Sequence, residues 1–187
     1  LSNLLAKINY QSVQQTVLKA SEAMDWMQQA ARMVAKEGRP VCWTTPLGFP
    51  VVQNYLCTKE ARVETSLAGE RKVLSIREET LKPDTRKAAN SISPNVVHSL
   101  DASHLMLTVA NAVDTGVTSF ALIHDSFGTH AGKTEGFYDV IRESMIELYA
   151  DDVFHNLREE FLSQVHPDKH EDMPELPSKG ALDPNVV

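Results

Sequence analysis

From Ser2 to Glu37 no proline interrupts a run in which Leu4, Leu5, Ile8, Val13, Val17, Ala20, Met24, Met27, Ala31 and Val34 return every three or four residues. Only the 3.6-residue period of an α-helix gathers such positions on one face. The pattern predicts one long amphipathic helix, and Gly38-Arg39-Pro40 is the kind of sequence that ends one.

Beyond that stop the period changes. Val41-Cys42-Trp43-Thr44 reads as a short strand, Thr45 to Gly48 as a turn, and Phe49 to Leu56 as a returning strand. The segment 58–93 alternates polar and charged residues around Ala68-Gly69, runs on through Val73, Leu74, Ile76 and a Lys82-Pro83-Asp84 break, and predicts one long, exposed, partly mobile hairpin. After Pro94-Asn95 a second helix is expected, from about Ser99 to Asp114, with Leu100, Leu105, Leu107, Val109 and Val113 as its apolar surface. Ser119 to Ile123 is a compact apolar strand, His124-Asp125-Ser126 a tight polar break, and Phe127 to His130 a returning strand. Two acidic helices follow, Thr134 to Tyr149 and Asp151 to Val165, the first turning Phe137, Val140, Ile141, Met145 and Leu148 inward. The proline-bearing tail after His166 should lie extended on the surface. The fold class is α+β: long helices on a small antiparallel sheet, with one projecting hairpin.

At 187 residues, 42% of them hydrophobic, the chain is long enough for one ordinary domain with a real core. No run approaches the roughly 18 apolar residues of a membrane span. Two cysteines, Cys42 and Cys57, exclude a disulfide framework and suit a reducing compartment. The net charge of −7 argues superficially against nucleic acid, but its distribution does not. Residues 59–87 hold eight basic against six acidic side chains, whereas the acidity is concentrated from 133 onward. Leucine at position 1, in a segment already helical, suggests a chain entered in its middle.

The break at His124-Asp125-Ser126 carries the most chemistry. A carboxylate at the end of an apolar strand sits at a sheet edge, where it needs a cation, a donor network or water as partner. A divalent metal is the partner that would make it catalytic, since hard ions take carboxylate and phosphate oxygens. Paired metals also serve both oxygens of a phosphoryl transfer. An Asp in a tight turn also serves simply as a turn residue, so both readings stand. His98, Asp101 and His104 are spaced by three, which spreads the outer pair about 120° round a helix, a poor metal site. Capping by Ser99 or Asp101 is the plainer reading of that run. Phosphate-loop, dinucleotide and nucleophile-elbow motifs are absent from the sequence. Trp26 and Trp43 read as core residues.

Five blocks, taken in order, resemble the C-terminal part of the single-subunit DNA-directed RNA polymerases of bacteriophages and mitochondria. They are Glu22 to Trp26, Trp43 to Pro50, Ser93 to His104, Ile123 to His130 and Met173 to Gly180. The resemblance covers essentially the whole chain and implies part of a right-hand polymerase: 1–57 as helix and β-turn of fingers and palm, 58–93 as a specificity hairpin, 94–187 as C-terminal palm. It assigns Asp125 to catalysis and Mg2+ binding, with His124 and His98 as supporting active-site residues. Promoter contacts would fall at Arg62, Glu64, Lys72 and Leu74. The implied partners are promoter and template DNA, nascent RNA, NTPs and the rest of the polymerase chain, in a monomeric enzyme with no membrane association.

The implied setting is an infected bacterium's cytoplasm or, alternatively, the mitochondrial matrix, and the Lys82 to Lys87 stretch looks closer to the family's mitochondrial members. The family's first catalytic aspartate and its nucleotide-handling helix would lie before Leu1, so the isolated chain is expected to be inactive. A family A DNA polymerase is the nearest alternative, but Ser126 stands where its hairpin has a second carboxylate. A non-catalytic DNA-binding module is the other.

Overall fold

The computed structural model describes residues 2–67, 69–123 and 125–180. Within them the chain is α+β. Helices α1 (Ser2–Thr16) and α2 (Leu18–Lys36) are followed by strands β1 (Val41–Thr44), β2 (Pro50–Gln53), β3 (Leu56–Leu67) and β4 (Glu70–Pro83). Then come α3 (Thr85–Asp114), β5 (Ala121–Ile123), β6 (Ser126–Gly128), α4 (Thr134–Leu148) and α5 (Val153–Gln164).

The expected single N-terminal helix is two. Val17, at φ −114° and ψ 64°, leaves the helical region between α1 and α2. Two β-branched residues meet there, and the Thr16 hydroxyl bonds back to the Ser12 carbonyl at 2.8 Å, competing with the helical ladder. The break divides the stripe's fate. Trp26, Met27, Ala30, Ala31, Val34 and Ala35 of α2 are buried, whereas Leu4, Leu5 and Ile8 of α1 are exposed. The side chain of Val13 lies outside the described residues.

The second helix also departs from expectation, beginning at Thr85 and running straight through Pro94. A proline inside a helix costs about 3 kcal/mol or more through a lost bond and a clash with the preceding turn. Here Pro94 faces solvent, while Ala88, Ala89, Ile92 and Val96 are buried. Full burial of each larger side chain contributes about 1.5–3 kcal/mol, so packing wins. The start is capped by Asp84, whose carboxylate accepts from the Lys87 N–H at 2.9 Å, and not by Ser99 or Asp101. The long hairpin accordingly ends at Pro83, and residues 85–93 belong to α3.

The strands do not form one small sheet. Among the described residues they make three separate antiparallel hairpins, β1–β2, β3–β4 and β5–β6. The first is closed off by side chains of α5. Gln164 accepts from the Cys42 N–H at 2.9 Å and donates to its carbonyl at 2.7 Å, while Glu160 accepts from the Thr44 N–H at 2.7 Å. An edge whose polar groups are already satisfied has nothing left to offer another strand.

The main core joins α2, β1, the first half of α3 and α5 around Trp26, Val34, Trp43, Ile92 and Phe161. Both tryptophans are buried there, as the sequence predicts. Trp26 stacks on Phe161 with ring centres 6.2 Å apart and donates its indole N–H to the Pro174 carbonyl at 3.0 Å. The tail after His166 is therefore more than a surface peptide. A short 3-10 turn over Pro167–Asp172 leads to Met173, which is buried in this core. A second cluster sets Ala112, Val117, Phe137 and Val140 beneath the β5–β6 hairpin. On α4 the small Ser144 is buried in place of Met145, which is exposed. The inner face of α3 there is likewise small, Ser103, Thr108 and Ala112, rather than the leucines and valines of the sequence expectation.

Candidate active site and nucleic-acid interface

Hairpin β5–β6 pairs Ala121 with Gly128, Leu122 with Phe127 and Ile123 with Ser126. Directly paired residues share a face. Leu122 and Phe127 therefore turn to the body, while Ile123 and Ser126 turn to solvent. Phe127 anchors the hairpin: its ring meets that of Phe137 edge-on at 6.2 Å and that of His104 at 5.6 Å. Phe120 adds an edge-on contact to Phe137 at 5.7 Å. The base is tied by Thr129, whose hydroxyl donates to the Ser119 carbonyl at 2.8 Å. Gly128 suits this close pairing, because a Cβ there would stand a tight 3.3 Å from the Ala121 carbonyl oxygen.

The outcome is a short, packed hairpin with Asp125 in its turn. Asp125 is exposed. His124 lies outside the described residues. A carboxylate in such a place is a hard oxygen donor of the kind Mg2+ takes, so Asp125 fits as one ligand. It cannot be the whole set: among the described residues no three His, Cys, Asp or Glu side chains come together to hold an ion. A pocket of about 370 Å3 between β1, α3 and α5, lined by Trp43, Thr45, Ser99, Leu148, Asn156 and Glu160, includes none of the sequence-predicted site residues.

The three residues of the rejected His-Asp-His reading separate. His98 and Asp101 are exposed on α3. His104 is half-buried, its Nε2 2.9 Å from the Ile141 carbonyl oxygen and its ring against Phe127. Thus α3 carries His98 and also braces the Asp125 hairpin.

Hairpin β3–β4 is the exposed counterpart. Its register sets Arg62 opposite Ser75, Glu64 opposite Val73, Thr65 opposite Lys72 and Val63 opposite Leu74. Arg62 and Glu64 consequently share one face, and Lys72 and Leu74 share the other. The four positions are brought to one ribbon but not to one side of it. A two-stranded ribbon is one of the shapes the DNA major groove admits.

Sequence reasoning missed a polar cluster at the ribbon's root. The Asn95 amide donates to Gln53 Oε1 at 2.8 Å and to the Tyr55 hydroxyl at 3.3 Å, and Gln53 donates to the Ala88 carbonyl at 2.8 Å. Lys87 Nζ lies 4.7 Å from the centre of the Tyr55 ring. Hydrogen bonds from Asn95 and then Ser91 hold the Tyr55 phenol below its ordinary range. A glutamine ending an otherwise apolar strand was the available signal.

A small helical body thus presents one short hairpin with an exposed aspartate at its tip and one long charged ribbon. Residues 1–183 match the family model for DNA-dependent RNA polymerase. The chain belongs to that family, in its single-subunit form. It is 39% identical over 182 residues to DNA-directed RNA polymerase 2, chloroplastic/mitochondrial, of Arabidopsis thaliana, covering 97% of this chain and 17% of that protein. It is 36% identical over 195 residues to the DNA-directed RNA polymerase of Enterobacteria phage K11, covering 95% of this chain and 21% of that protein. With the mitochondrial DNA-directed RNA polymerase 1 of Nicotiana sylvestris the identity is 39% over 164 residues, 88% of this chain and 16% of that protein. The chain thus spans about a fifth of the length of the curated relatives it matches.

Proposed function

We propose that this chain is the C-terminal palm portion of an enzyme that extends RNA on a DNA template. The reaction joins a nucleoside triphosphate to the RNA 3′-hydroxyl and releases pyrophosphate. The observation that carries this reading is an exposed carboxylate, Asp125, held at the tip of a hairpin by Phe127. Asp125 is the residue that would hold Mg2+, which when bound neutralises charge on the transferring phosphate and on the attacking and leaving oxygens. One carboxylate is half of the pair that the family's two-aspartate arrangement requires, and its partner is expected earlier in the polymerase chain.

His98, exposed on α3 beyond the ribbon's root, is proposed to lie by the template–RNA pair, and His124 beside the RNA 3′ end. The ribbon is proposed to read promoter DNA. Arg62 and Lys72 suit guanine O6 and N7, Glu64 suits cytosine N4, and Leu74 suits a thymine methyl group. NTPs, template and promoter DNA, nascent RNA and the remaining polymerase chain are the proposed partners, with the enzyme acting as a monomer. No described helix is long and apolar enough to cross a membrane. The relatives come from phages and plant organelles, and the proposed setting is a phage-infected bacterium, with the mitochondrial matrix as the alternative.

Asp125→Asn keeps the side chain's size and removes its charge. In the full-length polymerase it should reduce templated RNA synthesis below detection while promoter binding persists. Near-normal turnover by that variant contradicts the assignment. The 187-residue chain alone should make no RNA, lacking the partner carboxylate.

A further inference from the structure

Residues 58–82 make no described side-chain hydrogen bond or ion pair outside their own ribbon: the ion pairs Lys59–Glu78, Lys72–Glu70 and Arg77–Glu60 are all internal to it. Of β4, only Pro83 at the very end is buried. The direction in which the ribbon points is therefore decided at its root. There the Asp84 N–H donates to the Tyr55 carbonyl at 2.8 Å, and the register slips between Leu56 and Thr58. Several contacts tie this root to α3, the Gln53 amide on the Ala88 carbonyl and Lys87 over the Tyr55 ring among them, and the Asn95 amide alone reaches both Gln53 and Tyr55, on either side of Asn54.

Gln53 is buried at 4% exposure and its own amide is committed to the Ala88 carbonyl, also on α3. With its nitrogen turned to Ala88, Gln53 turns Oε1, an acceptor, to Asn95. Among uncharged side chains of this size, only an amide can donate to both neighbours at once.

We propose that Asn95 is a specificity-determining positioning residue: by clamping Gln53 and Tyr55 to α3 it fixes the angle of the β3–β4 ribbon, and with it the promoter base pairs that the ribbon meets. This rests on the polymerase reading and on the ribbon as promoter reader. The lever is long. Ten residues of strand reach about 33 Å, so a swing of about 10° at the root moves the tip by about 6 Å. That displacement is comparable to two base-pair steps of about 3.4 Å, enough to misplace every ribbon contact.

The test is made in the full-length polymerase with Asn95→Ala. Initiation on a matched promoter and on promoters carrying single base changes is compared with extension of a preassembled RNA–DNA hybrid, which needs no promoter. The variant should lose about five- to thirtyfold in initiation on the matched promoter, the range that one or two buried hydrogen bonds span. Its preference for the matched base should narrow, and hybrid extension should stay within about twofold. Tyr55→Phe, which removes the weaker Asn95 contact together with the hydroxyl's bond to Ser91 and keeps the Asn95–Gln53 bond, should shift initiation in the same direction by less, and decides the matter if Asn95→Ala fails to fold. Unchanged base preference in both variants overturns the proposal, as does an equal fall in initiation and extension. Removing the ribbon's outer half separates the two claims. If that deletion leaves promoter preference intact, the ribbon is not the reader. If it abolishes preference while Asn95→Ala does not, only the role of Asn95 is lost.

Discussion

Helix α2 and the β3–β4 ribbon are both strongly patterned, yet the molecule uses only one of the patterns. The period of α2 is spent internally: Met27, Ala31 and Val34 are buried, and Phe161, Ile92 and Met173 close over them. The ribbon's period of two also makes a face, on which Val63, Leu74 and Ile76 pair or neighbour one another, but these stay 42%, 50% and 45% exposed. A pattern answered by another part of the chain is about stability. One left unanswered is available to a ligand or to another part of a larger polymerase.

Stability measurements sharpen this contrast. Phe161→Ala should cost about 3–5 kcal/mol in urea unfolding of the chain, because a fully buried ring leaves a cavity under Trp26. Trp26→Phe removes the indole donor to Pro174, and should cost about 1–2 kcal/mol while speeding protease cleavage beyond Met173. Asp152→Ala should cost about 1 kcal/mol at neutral pH, since Asp152 caps α5 by accepting from the His155 N–H at 3.1 Å.

That last deficit is pH-dependent. The Lys179 ammonium, and then the His155 N–H, hold the Asp152 carboxyl below its ordinary range. A lowered carboxylate contributes stability above its unfolded pKa and loses it as pH falls through the folded value. The difference between native chain and Asp152→Ala should thus be full at neutral pH and shrink in acid below about pH 4. Val73→Thr on the ribbon, 63% exposed, should stay within about 0.5 kcal/mol of the native chain. A ribbon variant as costly as Phe161→Ala would erase the distinction between the two regions.

Much of the body was legible because burial imposes a period. The stretch from Met27 to Val34, the Gly38-Arg39-Pro40 stop, β1 and the two acidic helices follow from it directly. Legibility failed where a local rule met tertiary packing. Pro94 reads as a helix boundary, but its ring faces water and the buried Ile92 and Val96 carry α3 through it. The break at Val17 could not be read from spacing, since the stripe continues across it; the adjacent β-branched Thr16 and Val17 were the local cue.

At the site, the strand–turn–strand around Asp125 was visible as a polar interruption between apolar segments. The Asn95–Gln53–Tyr55 clamp was not, because its members come from β2, the following loop and α3, and nothing in one-dimensional spacing brings them together.

The central claim divides the labour: Asp125 for the chemistry, the ribbon for finding the promoter. The most direct measurement follows promoter occupancy and RNA synthesis in one sample, comparing Asp125→Asn with the double change Arg62→Ala and Lys72→Ala in the full-length polymerase. The account predicts that Asp125→Asn occupies the promoter and makes no RNA. The ribbon variant should lose salt-sensitive promoter binding yet extend a preassembled hybrid. RNA made at a near-native rate by Asp125→Asn, or a ribbon variant that binds the promoter as well as the native enzyme, would contradict it.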